Sequence, residues 1–259
     1  MSLFEELIED KEKDKEIVKS FESKDSLSDT IFSSENDTYI IKDDIRKKLL
    51  EVTDDFLDFV DIDFFIYDVV LTGSLANYNW SQYSDIDLHI IIDLDEFDGG
   101  KTSGKVYSQI VKEFFDTKKT IWNDKTDVKI KDFDVEIYIQ DIDEKHMSSG
   151  VYSVLNNEWI IIPEKSKPNI DDRKILEKGE EYVNQIDDLL KKSEGAEDVI
   201  KDVNELKEKL KNFRQSGLES GGEYSYENLT FKLLRRNGYI EKLMGIKTSV
   251  RNKKLSLPQ

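Results

Sequence analysis

The chain has 259 residues, with 56 Asp or Glu against 38 Lys or Arg, a formal charge of −18, no cysteine and two histidines, His89 and His146. Without cysteine there are no disulfides or thiolate zinc sites, and two histidines rule out a multi-histidine metal centre. The negative charge argues against a nucleic-acid coat protein, which needs a basic surface. No apolar run is long enough to span a bilayer, and Met1 to Asp10 lack the basic start and apolar core of a signal peptide, so a soluble cytoplasmic protein is expected.

Residues 1–38 are polar and acidic, with Leu3, Phe4, Leu7 and Ile8 as one apolar stripe and Ile17, Val18 and Phe21 as another. They read as an arm that is loosely ordered or helical. A helix is predicted from Asp43-Asp44 to Phe59, its apolar face carrying Ile45, Leu49, Val52, Phe56 and Phe59. Phe65 to Leu71 is predicted as a strand, Ser74 to Trp80 as a short helix after a Gly-Ser turn, and Ser84 to Asp93 as a second strand. Lys105 to Trp122 reads as a helix with Val106, Ile110, Val111, Phe114 and Phe115 inward. Val128 to Ile130 and Phe133 to Ile139 read as strands, and Val151 to Leu155 with Trp159 to Ile162 as a hairpin. Helices are predicted near 171–192, 197–215 and 226–243. The expected architecture is an α/β domain over 39–168 with a mixed sheet, followed by a helical domain over 169–259. Residues 231–259 hold eight Lys or Arg against one Glu, a local charge of +7. Such an end suits a phosphate-rich partner, or is a solvated helix face with a basic tail.

The chemistry is expected around Gly73-Ser74 and Asp85-Ile86-Asp87-Leu88-His89-Ile90. Alternation in a strand puts Asp85, Asp87 and His89 on one face. Paired carboxylates there call for a cation, and a divalent metal bound to a nucleotide supplies one. A third carboxylate is available in Phe133-Asp134-Val135-Glu136-Ile137, where Glu136 sits nearer the strand middle than Asp134. Asp61-Ile62-Asp63, Asp93-Leu94-Asp95 and Asp141-Ile142-Asp143 share the Asp-x-Asp spacing but lack a preceding Gly-Ser turn, and read as solvated turn residues.

Together, Gly73-Ser74, Asp85-Ile86-Asp87 and Glu136 resemble the nucleotidyltransferase superfamily with the DNA polymerase β-like fold. The likeness covers residues 65–162. The helical part, around Gly217-Leu218-Glu219 and Glu227 to Arg236, is similar to uncharacterised nucleotidyltransferases of tailed bacteriophages, for which the location would be the host cytoplasm. The resemblance implies a polymerase β-like palm and a two-metal enzyme using Mg²⁺ or Mn²⁺. Such an enzyme moves a nucleoside monophosphate from an NTP onto an acceptor hydroxyl of an RNA end, a small molecule or a protein, and releases pyrophosphate. It implies Asp85, Asp87 and Glu136 as catalytic and metal-binding residues, with Glu136 also able to accept the acceptor's proton. Gly73 and Ser74 are implied as nucleotide-binding, with Ser74 Oγ and N–H groups at the following helix start on the terminal phosphates.

Gly73-Ser74 can also be an ordinary strand-to-helix turn capped by Ser74. His89 is a candidate nucleotide contact, or a histidine packed beside the site. Asn77, Tyr78 and Trp80 stand where many members of the superfamily carry an arginine or another polar residue. Tyr224 and Tyr226 suit base stacking or packing, and Arg235 and Arg236 suit phosphate pairing or the helix C-terminus. Two other functions fit the same residues: a nucleotide second-messenger or oligonucleotide synthase, and a nucleotide-binding module without turnover.

Overall fold

The computed structural model describes residues 3–35, 38–98, 105–146, 148–193 and 199–256, with backbone alone for residues 3–10, 35, 98 and 105–108. The chain divides into two compact units: Ser23–Ser166, and Met1–Glu22 together with Lys167–Gln259. Among the described residues no helix is long and apolar enough to cross a membrane.

The first unit is a mixed α/β structure. Strands β1 (Phe32–Glu35) and β2 (Thr38–Ile41) form a small antiparallel pair. They precede α2 (Asp43–Val60), which follows α1 (Leu3–Lys19) of the other unit. Next come β3 (Asp68–Thr72), β4 (Ile86–Ile92), α3 (Lys105–Lys125), β5 (Lys129–Ile130), β6 (Phe133–Asp141), β7 (Val151–Ser153) and β8 (Glu158–Ile161). Their six-stranded sheet has the order β5-β6-β4-β3-β7-β8. The β4–β6 pair is parallel, bridged by α3, and the other pairs are antiparallel. Ile45, Leu49, Val52 and Phe56 of α2 and Phe115 and Trp122 of α3 share one core with Val69, Leu71, Ile86, Leu88, Ile90, Val135 and Ile137. These inward residues alternate along β3, β4 and β6, so the helices cover one face and every second side chain of those strands points to the other.

Several expectations are corrected. The first strand starts at Asp68, and Phe65 before it is 63% exposed. Residues 73–79 are a run of turns, not a short helix. The expected boundary at residue 38 also differs, because Leu27, Ile31 and Phe32 are buried in the sheet unit's core.

The second unit is helical: α1, α4 (Asp172–Ser193), α5 (Val199–Gly221), α6 (Tyr226–Arg236) and α7 (Tyr239–Leu255). Tyr182, Ile186 and Leu189 of α4 bury against Val203, Leu206 and Leu210 of α5, Leu234 of α6, and Leu243, Ile246 and Val250 of α7. The N-terminal segment belongs here, with Ile17, Val18 and Phe21 buried and α1 packed on α4 and α6. Helix α5 continues to Gly221, past the expected end near residue 215. Gly217 lies where a Cβ would come 2.5 Å from Glu227 Cβ and 2.7 Å from Ser225 Oγ, so it serves close packing inside the helix. The expected helix 226–243 is two helices, broken at Gly238, whose φ of +75° suits a residue without Cβ.

Candidate active site

The carboxylates lie on the sheet face opposite the two helices. Ile86, Leu88 and Ile90 are buried in the core, while Asp85, Asp87 and His89 between them are partly exposed. Asp85 immediately precedes β4. Strand register places Thr72 of β3, Asp87 of β4 and Glu136 of β6 in one row. Val70, His89 and Tyr138 form the next row. Glu136 is partly exposed between buried Val135 and Ile137. Asp134 is exposed and ion-paired to Lys129 at 2.6 Å, on the edge strand β5.

Gly73 connects the turn to the aspartate. Its φ is +70°, and a Cβ built there would lie 1.8 Å from Asp87 Oδ2 and 2.8 Å from Asp87 Cγ. The Asp87 carboxylate therefore occupies the space that any side chain at 73 would take. Ser74 Oγ donates to Ser84 Oγ at 2.8 Å, and Ser84 Oγ also accepts the Ser81 N–H at 2.9 Å, next to Asp85. Since no helix follows Ser74, the expected set of free N–H groups at a helix start is not formed there.

The turn is held by residues from far along the chain. Asn77, 4% exposed, donates from Nδ2 to Gly73 O at 2.8 Å and to Ser148 Oγ at 3.1 Å, and its Oδ1 accepts from Ser149 Oγ at 2.9 Å. Gly150 sits so tightly under the turn that a Cβ would come 2.1 Å from Ala76 O. Trp80 Nε1 donates to Ser26 O at 2.9 Å, and Tyr78 O accepts the Lys24 N–H at 2.7 Å, so both residues anchor the segment before β1. Asn77→Leu is isosteric in rough outline but strands several polar partners. It is expected to lower unfolding free energy by about 1–3 kcal/mol in urea titration, whereas an unchanged midpoint would show the latch to be dispensable.

A polar chain runs along the same face. Tyr138 Oη donates to Glu136 Oε2, and the Tyr138 ring lies 4.9 Å from the His89 ring. On β6, Gln140 Nε2 donates to Glu144 O at 3.0 Å and to His146 Nδ1 at 3.2 Å, which leaves Oε1 to accept from His89 Nδ1–H at 2.8 Å. Burial pushes the His89 imidazole below its usual pKa, against a smaller upward effect of the Gln140 hydrogen bond. Tyr138, Gln140, Asn77 and Gly150 carry no motif; their periodicity alone would have placed the first two on the carboxylate face.

The rival Asp-x-Asp pairs are cap and turn residues. Asp61 is the left-handed C-cap of α2 with φ +59°. Asp93 Oδ1 accepts the Asp95 N–H at 2.9 Å, and Asp141 Oδ1 accepts the Asp143 N–H at 2.9 Å, both local turn bonds. In the helical unit, Tyr226 packs edge-on against Phe213 at 5.7 Å beneath the Lys174 ammonium.

Carboxylate oxygens suit Mg²⁺ or Mn²⁺. Like charges at directly opposed strand positions are unfavourable without a cation, and Asp87 and Glu136 are so placed. The donor set therefore fits a divalent ion. Among the described residues no three His, Asp or Glu side chains are already gathered closely enough to hold one.

No protein-family model matches the sequence, and no curated protein matches it. A solved structure similar to the chain is the STING-associated CdnE c-di-GMP synthase from Capnocytophaga granulosa, at 13% identity over 83% of this chain and 84% of that one, with a TM-score of 0.20. A likeness of that size carries no argument about function, and the reading of the carboxylate face rests on its own geometry.

Proposed function

We propose that the chain is a divalent-metal-dependent nucleotidyltransferase acting from the carboxylate face of its sheet. The observation that supports this most is the seating of Asp87: it is the register partner of Glu136 on a parallel neighbour, and its carboxylate fills the space left by Gly73 of the Gly-Ser turn. One compact region thereby combines a close-approach glycine, a serine hydroxyl and carboxylates from two strands.

In this reading Asp85, Asp87 and Glu136 hold Mg²⁺ or Mn²⁺, which when bound neutralises phosphate charge and lowers the pKa of an acceptor hydroxyl. Gly73 lets the triphosphate of an NTP come close to the backbone, and Ser74 Oγ, by turning from Ser84, hydrogen-bonds a phosphate oxygen. The acceptor oxygen forms a bond to the α-phosphorus as the bond to the β-phosphate bridging oxygen breaks. The electron pair leaves with pyrophosphate. Glu136 takes the proton of the acceptor hydroxyl, and Tyr138 orients its carboxylate. His89 contacts the nucleotide from the next row of the sheet. The acceptor is an RNA end, a small molecule or a protein.

Purified protein incubated with each α-labelled NTP, Mg²⁺ or Mn²⁺, and RNA, protein and metabolite pools is expected to transfer label to one pool and release pyrophosphate. Chelation with EDTA should stop it. Neither transfer nor pyrophosphate with any combination would overturn the proposal.

A further inference from the structure

One buried amide on the carboxylate face fixes the protons of both histidines in the chain. Gln140 of β6 is 7% exposed, and its amide nitrogen and oxygen are both engaged. The backbone O of Glu144, 3.0 Å away, can only accept, so the amide presents its nitrogen there. The second proton of that nitrogen goes to His146 Nδ1 at 3.2 Å, and Oε1 is left toward His89 Nδ1 at 2.8 Å. An amide oxygen accepts, so His89 carries its proton on Nδ1. His146 Nδ1 is itself an acceptor, so the neutral His146 ring carries its proton on Nε2. The two imidazoles are therefore opposite tautomers. In water the Nε2–H form predominates, so His89 is held in the less common one.

A proton on Nδ1 leaves a lone pair on His89 Nε2, and burial favours this neutral ring over the imidazolium. Nε2 makes no hydrogen bond with the described residues, and it is not sealed from solvent. The ring packs against the Tyr138 ring at 4.9 Å with a tilt of 32°. Its register neighbour on the other side, Val70, is fully buried. Further along β4, Ile91 closes with Val70 and Val151 into a small apolar cluster. His89 thus stands where the partly exposed carboxylate row gives way to a closed apolar patch. It is an acceptor held in place on both flanks.

We infer that His89 Nε2 accepts a hydrogen bond from a ribose hydroxyl of the bound NTP, and that Gln140 is the positioning residue that presents it. The inference rests on the nucleotidyltransferase reading of the same face. A ring nitrogen with a lone pair repels phosphate oxygens, so the triphosphate is not its partner. Asp87 and His89 are two residues apart on one face of β4, which is about 7 Å along a strand. With the metal-held phosphates over Asp87, the sugar hydroxyls come within that reach, whereas the amines of a base lie farther from the α-phosphate. The contact selects ribonucleotides over sugars that lack the hydroxyl.

Long-range proton–nitrogen NMR spectra of the wild-type chain read the tautomers directly, and loss of one signal set in His89→Phe assigns them. His89 is expected as Nδ1–H and His146 as Nε2–H. A His89 protonated on Nε2 overturns the inference whatever the enzyme does. Calorimetry in Mg²⁺, without acceptor, then compares each NTP that binds with its 2′-deoxy and 3′-deoxy forms. One hydrogen bond corresponds to about fivefold to tenfold in affinity, so wild type should prefer the NTP over one deoxy form by that factor. The two deoxy forms tell which hydroxyl is used. His89→Phe, which keeps a ring against Tyr138, should weaken the NTP by the same factor and that deoxy form hardly at all. Gln140→Leu should move the His89 proton toward Nε2 and lose the same preference. No preference in wild type, or equal weakening of ribose and deoxy forms by His89→Phe, overturns the inference and leaves the transferase reading standing. Ribose-dependent binding without label transfer does the reverse. No nucleotide binding at all overturns both.

Discussion

Asp87→Asn is expected to reduce nucleotidyl transfer by about 10³-fold or more while leaving the fold intact. The exchange keeps the side chain's shape above Gly73 and removes one negative charge from the row it shares with Glu136. Loss of about 4 kcal/mol of transition-state stabilisation, in the range a single metal-charge contact supplies, corresponds to that factor. Stability should hold or rise by up to about 1 kcal/mol, because like charges at opposed strand positions destabilise a pair by amounts of that order. Calorimetric Mn²⁺ binding should fall in step with activity. Asp134→Asn is the internal control. Its carboxylate is exposed and paired to Lys129, so transfer should stay within about twofold of wild type, as surface ion pairs contribute little. Equal losses in both variants would mean that the charge of the region matters and the motif does not.

Gly73→Ala should be damaging for a different reason. The backbone at 73 has φ +70°, where an L-residue with a Cβ is strained by about 1–2 kcal/mol. The new methyl would also stand 1.8 Å from Asp87 Oδ2, so the carboxylate must leave its seat. The combined cost is about 2–4 kcal/mol of unfolding free energy, read in urea, since strain and displacement add. A catalytic carboxylate moved by an ångström loses about 10²-fold in rate, so transfer should drop even in the fraction that remains folded. The signature that separates this variant from Asp87→Asn is the stability loss. A Gly73→Ala protein as stable and as active as wild type would refute the coupling between turn and aspartate.

Much of this was legible in the sequence because local pattern and tertiary burial agree. Ile86, Leu88 and Ile90 alternate with Asp85, Asp87 and His89, and Val135 and Ile137 flank Glu136; that period of two survives folding unchanged because the opposite face of the sheet is sealed by α2 and α3. The preference for Glu136 over Asp134 follows from the same pattern. The turn after Gly73 was misread for want of long-range information. Its sequence suits a short helix, but Asn77 spends its amide on Gly73 O and on serines more than 70 residues away. Glycines misled in both directions. Gly217 falls between two expected helices and is a packing contact within α5, whereas Gly238 falls inside an expected helix and is the break. Leu27, Ile31 and Phe32 have no helical or strand period, so nothing local announces that they join the sheet unit's core.

The order in which the units are completed on the ribosome differs from the order of the sequence. Helix α1 is synthesised before the sheet, yet the partners it packs on, α4 and α6, emerge only after residue 171, when every strand of the sheet has already been made. Domains fold as units during synthesis, so the sheet unit can reach its native state while α1 waits with Ile17, Val18 and Phe21 uncovered. The acidic composition of that segment then acquires a purpose: seven of the residues from Glu5 to Glu16 are Asp or Glu, and a charged, poorly cohesive helix keeps a nascent chain from associating before its late-arriving half can receive it.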